Sequence, residues 1–266
     1  MRPLLALLCA ALTVCAGADE IPQAEIALAE GAAAAPALTS EARAADVLRT
    51  CRAMLPLKPV ALTGALILRN RKGIVSSEHD YRLVMRRDEG VALLSITLFP
   101  RGETNEIASV TIARRAGERP RIAFRRPGAD AAVAVDSLLD RVLDTDVTWL
   151  DLTLDFLWWP DAAYEADREG ESVHGQDCLV ILVKPDRPMP GISAVRLWVD
   201  KKTGCLMQAE QVGEDGRPVR RMWGTRVKKF EGRWFASVLE VETLGARRRT
   251  KIVVDEMTVL GASDAP

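Results

Sequence analysis

The chain has 266 residues, 48% of them hydrophobic and 27% charged, with 36 lysines and arginines against 37 aspartates and glutamates. A net charge of −1 excludes a protein that binds nucleic acid through overall charge. The length is enough for a substantial core that needs no disulfide staples, and the two histidines leave little material for metal or general-base chemistry.

The first residues read as a targeting signal. Met1-Arg-Pro is a short basic start, Leu4 to Val14 is apolar, and Ala16 and Ala18 are the small residues of a cleavage site before Asp19. The expected signal is 1–18, which places the mature chain in the periplasm. Leu12-Thr-Val-Cys15 also resembles a lipobox, so a lipid anchor at Cys15 is the alternative. Residues 19–39 are Ala-rich with little apolar bulk and read as a flexible leader. Ser40 is placed to cap a helix from Glu41 to about Leu55, which Pro56 and Pro59 end.

From Val60 the hydrophobic period becomes two. Strands are expected at about 60–69, 79–86, 91–98, 107–113 and 121–124, separated by Asn70-Arg-Lys-Gly73, Asp88-Glu-Gly90, Pro100-Arg-Gly102 and Ala116-Gly117. Val135, Leu138, Leu139, Val142 and Leu143 then fall at 3.6-residue spacing behind Asp136, which predicts a short amphipathic helix. Thr148-Trp-Leu-Asp-Leu-Thr-Leu-Asp-Phe-Leu-Trp-Trp-Pro160 follows, with three of the six tryptophans. Its alternation suits a strand. Thr148 with Asp151 resembles a capping box, and a helix is the reading adopted. Cys178 to Val183 is a continuous apolar strand, buried on both faces. Further strands are expected at 194–200, 205–212, 219–227, 234–243 and 248–257. Their short connections imply an antiparallel meander.

Chemistry-bearing constellations are sparse. There is no Gly-x-Ser-x-Gly elbow, phosphate loop or His-x-x-x-His pair. Asp151 and Asp155 are spaced to share a helix face, as an acid–base pair or as a solvated face. Cys178 with His174 is a weak nucleophile pair, because the cysteine opens an apolar strand. Cys51, Cys178 and Cys205 are either one disulfide plus a thiol or three buried thiols. Paired basic residues such as Arg125-Arg126, Arg220-Arg221 and Lys228-Lys229 read as solvated strand edges, or as a surface for anionic head groups.

Several ordered stretches resemble the LolA-like outer-membrane lipoprotein-sorting proteins, in particular a spirochaete-type branch. They are Asp146-Val-Thr-Trp-Leu-Asp-Leu152, Val173-His-Gly-Gln-Asp-Cys-Leu-Val-Ile-Leu-Val-Lys-Pro185, Val195-Arg-Leu-Trp-Val-Asp-Lys-Lys-Thr-Gly204, Ala209-Glu-Gln-Val-Gly-Glu-Asp-Gly216 and Gly232-Arg-Trp234. Order and spacing agree from Asp144 to Met257, and the first half agrees in strand pattern. The resemblance implies a mainly β (α+β) fold: an unclosed antiparallel β-barrel of about eleven strands with a helical lid and an N-terminal helix. It implies a single domain over 40–260, a lid insertion at about 128–170 and a tail at 261–266.

The function expected on this basis is a periplasmic carrier for lipid or lipoprotein acyl chains, a monomer without cofactor, metal or catalytic residues. Leu152, Phe156, Leu157, Trp158 and Trp159 would be the ligand-binding residues, or else fixed core. An inner- or outer-membrane transport protein would be the delivery partner, and nucleic acid would not be one. The alternatives are an envelope sensor that binds a protein partner, and a hydrolase using Asp151 with Asp155 or Cys178 with His174.

Overall fold

The computed structural model describes residues 44–53, 58–88, 91–115, 118–126, 128–230, 233–246 and 248–261. The expected signal, leader, Ser40 cap and the tail beyond Gly261 lie outside them. In chain order the elements are α1 (Ala44–Ala53), β1 (Val60–Asn70), β2 (Val75–Asp88), β3 (Val91–Pro100), β4 (Ala108–Arg115), β5 (Arg121–Arg125) and β6 (Val133–Ala134). Then come α2 (Trp149–Thr153), a 3₁₀ turn (Asp155–Trp158), β7 (Asp161–Tyr164), a second 3₁₀ turn (Ala166–Arg168), β8 (Ser172–Val173) and β9 (Gln176–Lys184). The last strands are β10 (Ala194–Asp200), β11 (Leu206–Val212), β12 (Pro218–Phe230), β13 (Arg233–Thr243) and β14 (Arg248–Val259).

The strand order is β6-β5-β4-β3-β2-β1-β14-β13-β12-β11-β10-β9-β7, with β8 on β9. The sheet does not close, because β6 and β7 end the order. A mainly antiparallel, unclosed sheet with few helices is the expected class. The described strands number fourteen rather than about eleven. The additional ones, β6, β7 and β8, are two to four residues long. Such pieces show too few alternations to be read from periodicity.

Two compact units divide the chain. The first is built from Leu55–Asp155 and Glu240–Pro266, the second from Phe156–Leu239 with α1. In the first unit one side of the sheet is a continuous apolar face. Leu62 pairs with Leu83, Leu83 with Ile96, Ile96 with Val110 and Val110 with Phe124. The next row runs Val60, Met85, Leu94, Ile112 and Ile122. Since side chains alternate along a strand, the alternate residues Thr63, Arg82, Ser95 and Thr111 are exposed.

Gly64 marks a break in the β1–β14 pairing, a register shift between Thr63 and Gly64. The Tyr81 hydroxyl crosses the gap and donates to the Val253 carbonyl at 3.0 Å. A Cβ at residue 64 would lie 1.9 Å from the Val253 oxygen and 2.8 Å from the Tyr81 oxygen.

In the second unit β9 is buried on both faces from Cys178 to Ile181, as its unbroken apolar run implies. The outer side of β10 and β11 carries an ion network. Arg196 donates to Glu165 through Nη2 at 3.1 Å, and Arg221 donates through Nε to Glu210 at 2.7 Å. The helix α1 packs on β7. Its Arg52 Nη1 donates to the Leu157 carbonyl at 2.7 Å, satisfying a carbonyl of the 3₁₀ turn.

The helix expected over 135–143 is absent; the stretch forms turns. Its backbone bonds outward instead. Val135 N donates to Ile122 O, Val142 N to Val147 O and Leu150 N to Leu138 O. Leu143 takes φ 54, a left-handed conformation that ends any helix. Tertiary pairing has overridden a correct apolar spacing.

Gly64→Ala is expected to destabilise the protein by about 2–3 kcal/mol through overpacking against backbone. Urea denaturation followed by circular dichroism checks this; an unchanged midpoint would contradict the tight register shift.

Candidate functional site: the covered apolar face

The apolar face of the first unit is covered by its own chain. Thr148 caps α2: Asp151 N donates to the Thr148 hydroxyl, and the Asp151 carboxylate accepts from Thr148 N at 2.8 Å. This reciprocal capping box is the one expected from sequence. The helix lasts only five residues, and Leu154 stops it with φ 48 in the left-handed region. Trp149, Leu150, Leu152 and Leu154 are all buried. Trp149 meets Phe124 of the apolar face edge-on, with ring centroids 6.1 Å apart.

Arg114 follows Ala108, Val110 and Ile112 on the same side of β4, opposite Ala92, where a hydrophobic residue would continue the pattern. Its guanidinium instead pairs with the Asp155 carboxylate at the end of the covering segment. Both side chains are about 5% exposed, Arg114 at 6% and Asp155 at 5%. Burial pushes the Arg114 guanidinium below its ordinary value, and Asp155 pulls it back toward the charged form.

The start of the segment is held twice. Asp146, fully buried, donates through its backbone N–H to the Thr250 hydroxyl at 2.8 Å. Its carboxylate accepts from Thr243 and from Arg248 Nε, each at 3.1 Å. Asp144 takes a bond from the His79 Nε2 edge at 3.1 Å, and the same nitrogen meets the Ser77 hydroxyl at 2.9 Å. Sequence reading did not find this Ser77–His79–Asp144 cluster, whose parts lie 65 residues apart. It is not a nucleophile relay. Both oxygens reach one ring nitrogen, whereas a relay needs the carboxylate on the other.

The expected site residues fall as follows. Leu152 lies in α2. Phe156, Leu157, Trp158 and Trp159 open the second unit, where Phe156 and Trp159 stack edge-to-face at 6.5 Å. Leu152, Phe156, Leu157 and Trp159 are buried, and Trp158 is partly exposed.

The solvated-face reading of Asp151 and Asp155 is corrected: both are buried, one as a cap and one as an ion-pair partner. Neither is free to act as an acid or base. Burial pushes the Cys178 thiol up to about 12, which opposes thiolate formation. His174 takes φ 51 in the two-residue turn joining β8 and β9, beside Gly175 at φ 81. Its place there is conformational, in a type I′ turn. Cys51, Cys178 and Cys205 are three buried free thiols.

Solved structures of similar fold place this arrangement in a class. A DUF1329 family protein from Desulfovibrio piger superposes with TM-score 0.69 at 16% identity, covering 82% of this chain and 92% of that one. A proposed outer membrane lipoprotein-sorting protein domain from Vibrio parahaemolyticus gives 0.66 at 16% identity, covering 78% and 88%. A LolA superfamily protein from Nitrosomonas europaea gives 0.62 at 16% identity, covering 83% and 94%. The fold is therefore LolA-like. A family model described as "uncharacterized protein", -like, matches residues 132–264, half of the chain, and the chain belongs to that family. Comparison with curated proteins gives no match by sequence.

Removing one partner of the buried pair leaves an uncompensated charge. Arg114→Ala or Asp155→Ala is expected to cost about 3–5 kcal/mol, and Arg114→Met with Asp155→Leu to recover most of it. A double-mutant cycle by chemical denaturation measures this; single variants as stable as wild type would show the pair to be unimportant.

Asp144 carries a pH signature. Burial pushes its carboxyl up, but hydrogen bonds from Ser77 and His79 outweigh that and hold it below the usual range. A depressed carboxylate stabilises the fold above its unfolded value, and the contribution is lost as pH falls through the folded one. Acid denaturation below about pH 4 should therefore have a shallower stability slope in Asp144→Asn.

Proposed function

We propose that this protein is an exported envelope protein that binds the acyl chains of lipids or lipoproteins. The signal at 1–18 carries it out of the cytoplasm. No helix among the described residues is long and apolar enough to cross a membrane. The observation that supports the reading is the cover itself. A broad apolar sheet face is covered by a segment with a five-residue helix, and polar groups on either side of that helix are tied down, Asp155 to Arg114 and Asp144 to His79. A buried ion pair adds little stability over apolar packing, so these ties fix where the cover sits rather than locking it there by a large energy.

In this reading Leu152, Phe156, Leu157, Trp158 and Trp159 exchange their present apolar neighbours for the ligand. Burying about ten methylenes is worth roughly 8 kcal/mol, which corresponds to about micromolar affinity without any polar contact. The LolA-like fold supports the same conclusion, since one neighbour of this fold is described as an outer membrane lipoprotein-sorting protein domain. The reading contains no catalytic step, and its partners are the ligand and a membrane transport protein that loads or unloads it.

A fluorescent fatty-acyl probe is expected to bind saturably with a Kd of about 1 μM. Trp158→Ser should weaken binding by about ten-fold or more, with the denaturation midpoint measured alongside to separate lost binding from lost stability. Native mass spectrometry of protein from its own host should show a bound lipid. No saturable probe binding together with no bound lipid would overturn the proposal, most directly if a protein partner were found instead.

A further inference from the structure

The β1–β2 hairpin ends in a tip that the acyl-binding reading does not use. Its loop is Asn70-Arg71-Lys72-Gly73-Ile74, with Gly73 at φ 80. The loop is rigid. Asn70 N donates to Ile74 O at 3.0 Å, Gly73 N to Asn70 O at 2.9 Å, and the Asn70 side chain accepts from Lys72 N and Ile74 N. What it displays is unusual for a turn, where polar residues are the rule. Ile74 is 59% exposed and Val75 44%, and with Val133 they are the exposed large hydrophobics among the described residues.

Cations surround this pair. Arg71 and Lys72 are exposed at the tip, and no carboxylate pairs with either among the described residues. Strand β14 starts alongside, with Arg248 opposite Asn70 and Arg249 opposite Arg69. The neighbouring carboxylates are already engaged. Glu78 and Asp80 hold Arg101, Glu240 holds both Arg249 and Lys251, and Asp146 holds Arg248. Arg69, Arg71 and Lys72 therefore add to a local excess of positive charge in a protein whose net charge is −1.

We infer that this tip docks the protein on a membrane surface bearing anionic lipids. Ile74 and Val75 enter the head-group boundary, and Arg71, Lys72 and Arg69 meet lipid phosphates. An exposed apolar pair at the hairpin tip, close in sequence and register to Arg69, Arg71 and Lys72, suits a charged interface that becomes apolar a few ångströms in. An acidic protein surface would satisfy the cations but not the apolar pair. This docking is independent of whether the covered face binds acyl chains.

The test is co-sedimentation of the protein processed from a Cys15→Ser precursor, so that no lipid anchor contributes, with vesicles of phosphatidylglycerol and phosphatidylethanolamine. Binding is expected there and not to neutral phosphatidylcholine vesicles. Each cation at an anionic surface strengthens binding about five-fold, so Arg71→Ala with Lys72→Ala should weaken it about 25-fold. Ile74→Ser with Val75→Ser should weaken it about ten-fold or more. All four side chains are solvent-facing, so denaturation midpoints should stay at the wild-type value. Val75→Trp should add a fluorescence component that shifts to the blue with anionic vesicles. Equal binding by wild type and variants, or binding to poly-glutamate without binding to vesicles, would overturn the inference.

Discussion

The guanidinium of Arg114 and the carboxylate of Asp155 are out of water together, and each offsets the cost of burying the other's charge. Everything about the covering segment follows from where these two charges lie. Arg114 occupies a core position on β4, so the apolar face cannot be sealed by hydrophobic packing alone. Whatever covers that end must bring a carboxylate. The chain from Trp149 to Asp155 is short enough to place one there, because Leu154 turns left-handed and α2 stops after a single turn.

That geometry connects folding to the proposed activity. The segment is bracketed by two non-glycine residues in left-handed conformations, Leu143 and Leu154, at a cost of about 1–2 kcal/mol each. The native packing compensates for this strain through specific ties: Asp146 to Thr243 and Arg248, Asp144 to His79, and Asp155 to Arg114. Polar ties differ from apolar packing in one useful respect. They have defined geometry and are lost together when that geometry changes. These ties fix the segment in one geometry over the apolar face.

Much of the frame was legible in the residues. Strands β1 to β5 and β9 to β14 alternate or run apolar over seven or more residues in most cases, so period and turn residues together locate them. The Thr148–Asp151 capping box was legible for the same reason: it is a local interaction between residues three apart. The 135–143 helix was misread because its apolar spacing is real, while the backbone partners that defeat it lie at Ile122 and Val147. Asp155 looked solvent-facing because its partner is 41 residues upstream. His79 looked isolated because Asp144 is 65 residues away.

The amino-acid sequence by itself determined the β-rich class, the order and approximate limits of the long strands, the cap of α2 and the resemblance to LolA-like proteins. These rest on local periodicity, local hydrogen bonding and residue order, which a linear chain displays. Only the tertiary structure decided that Asp151 and Asp155 are buried, that Arg114 sits in the apolar face to receive one of them, and that Ile74 and Val75 remain outside near Arg71 and Lys72, which no carboxylate pairs among the described residues. Burial and charge pairing depend on which residues distant in the chain are brought together, and no periodicity encodes that.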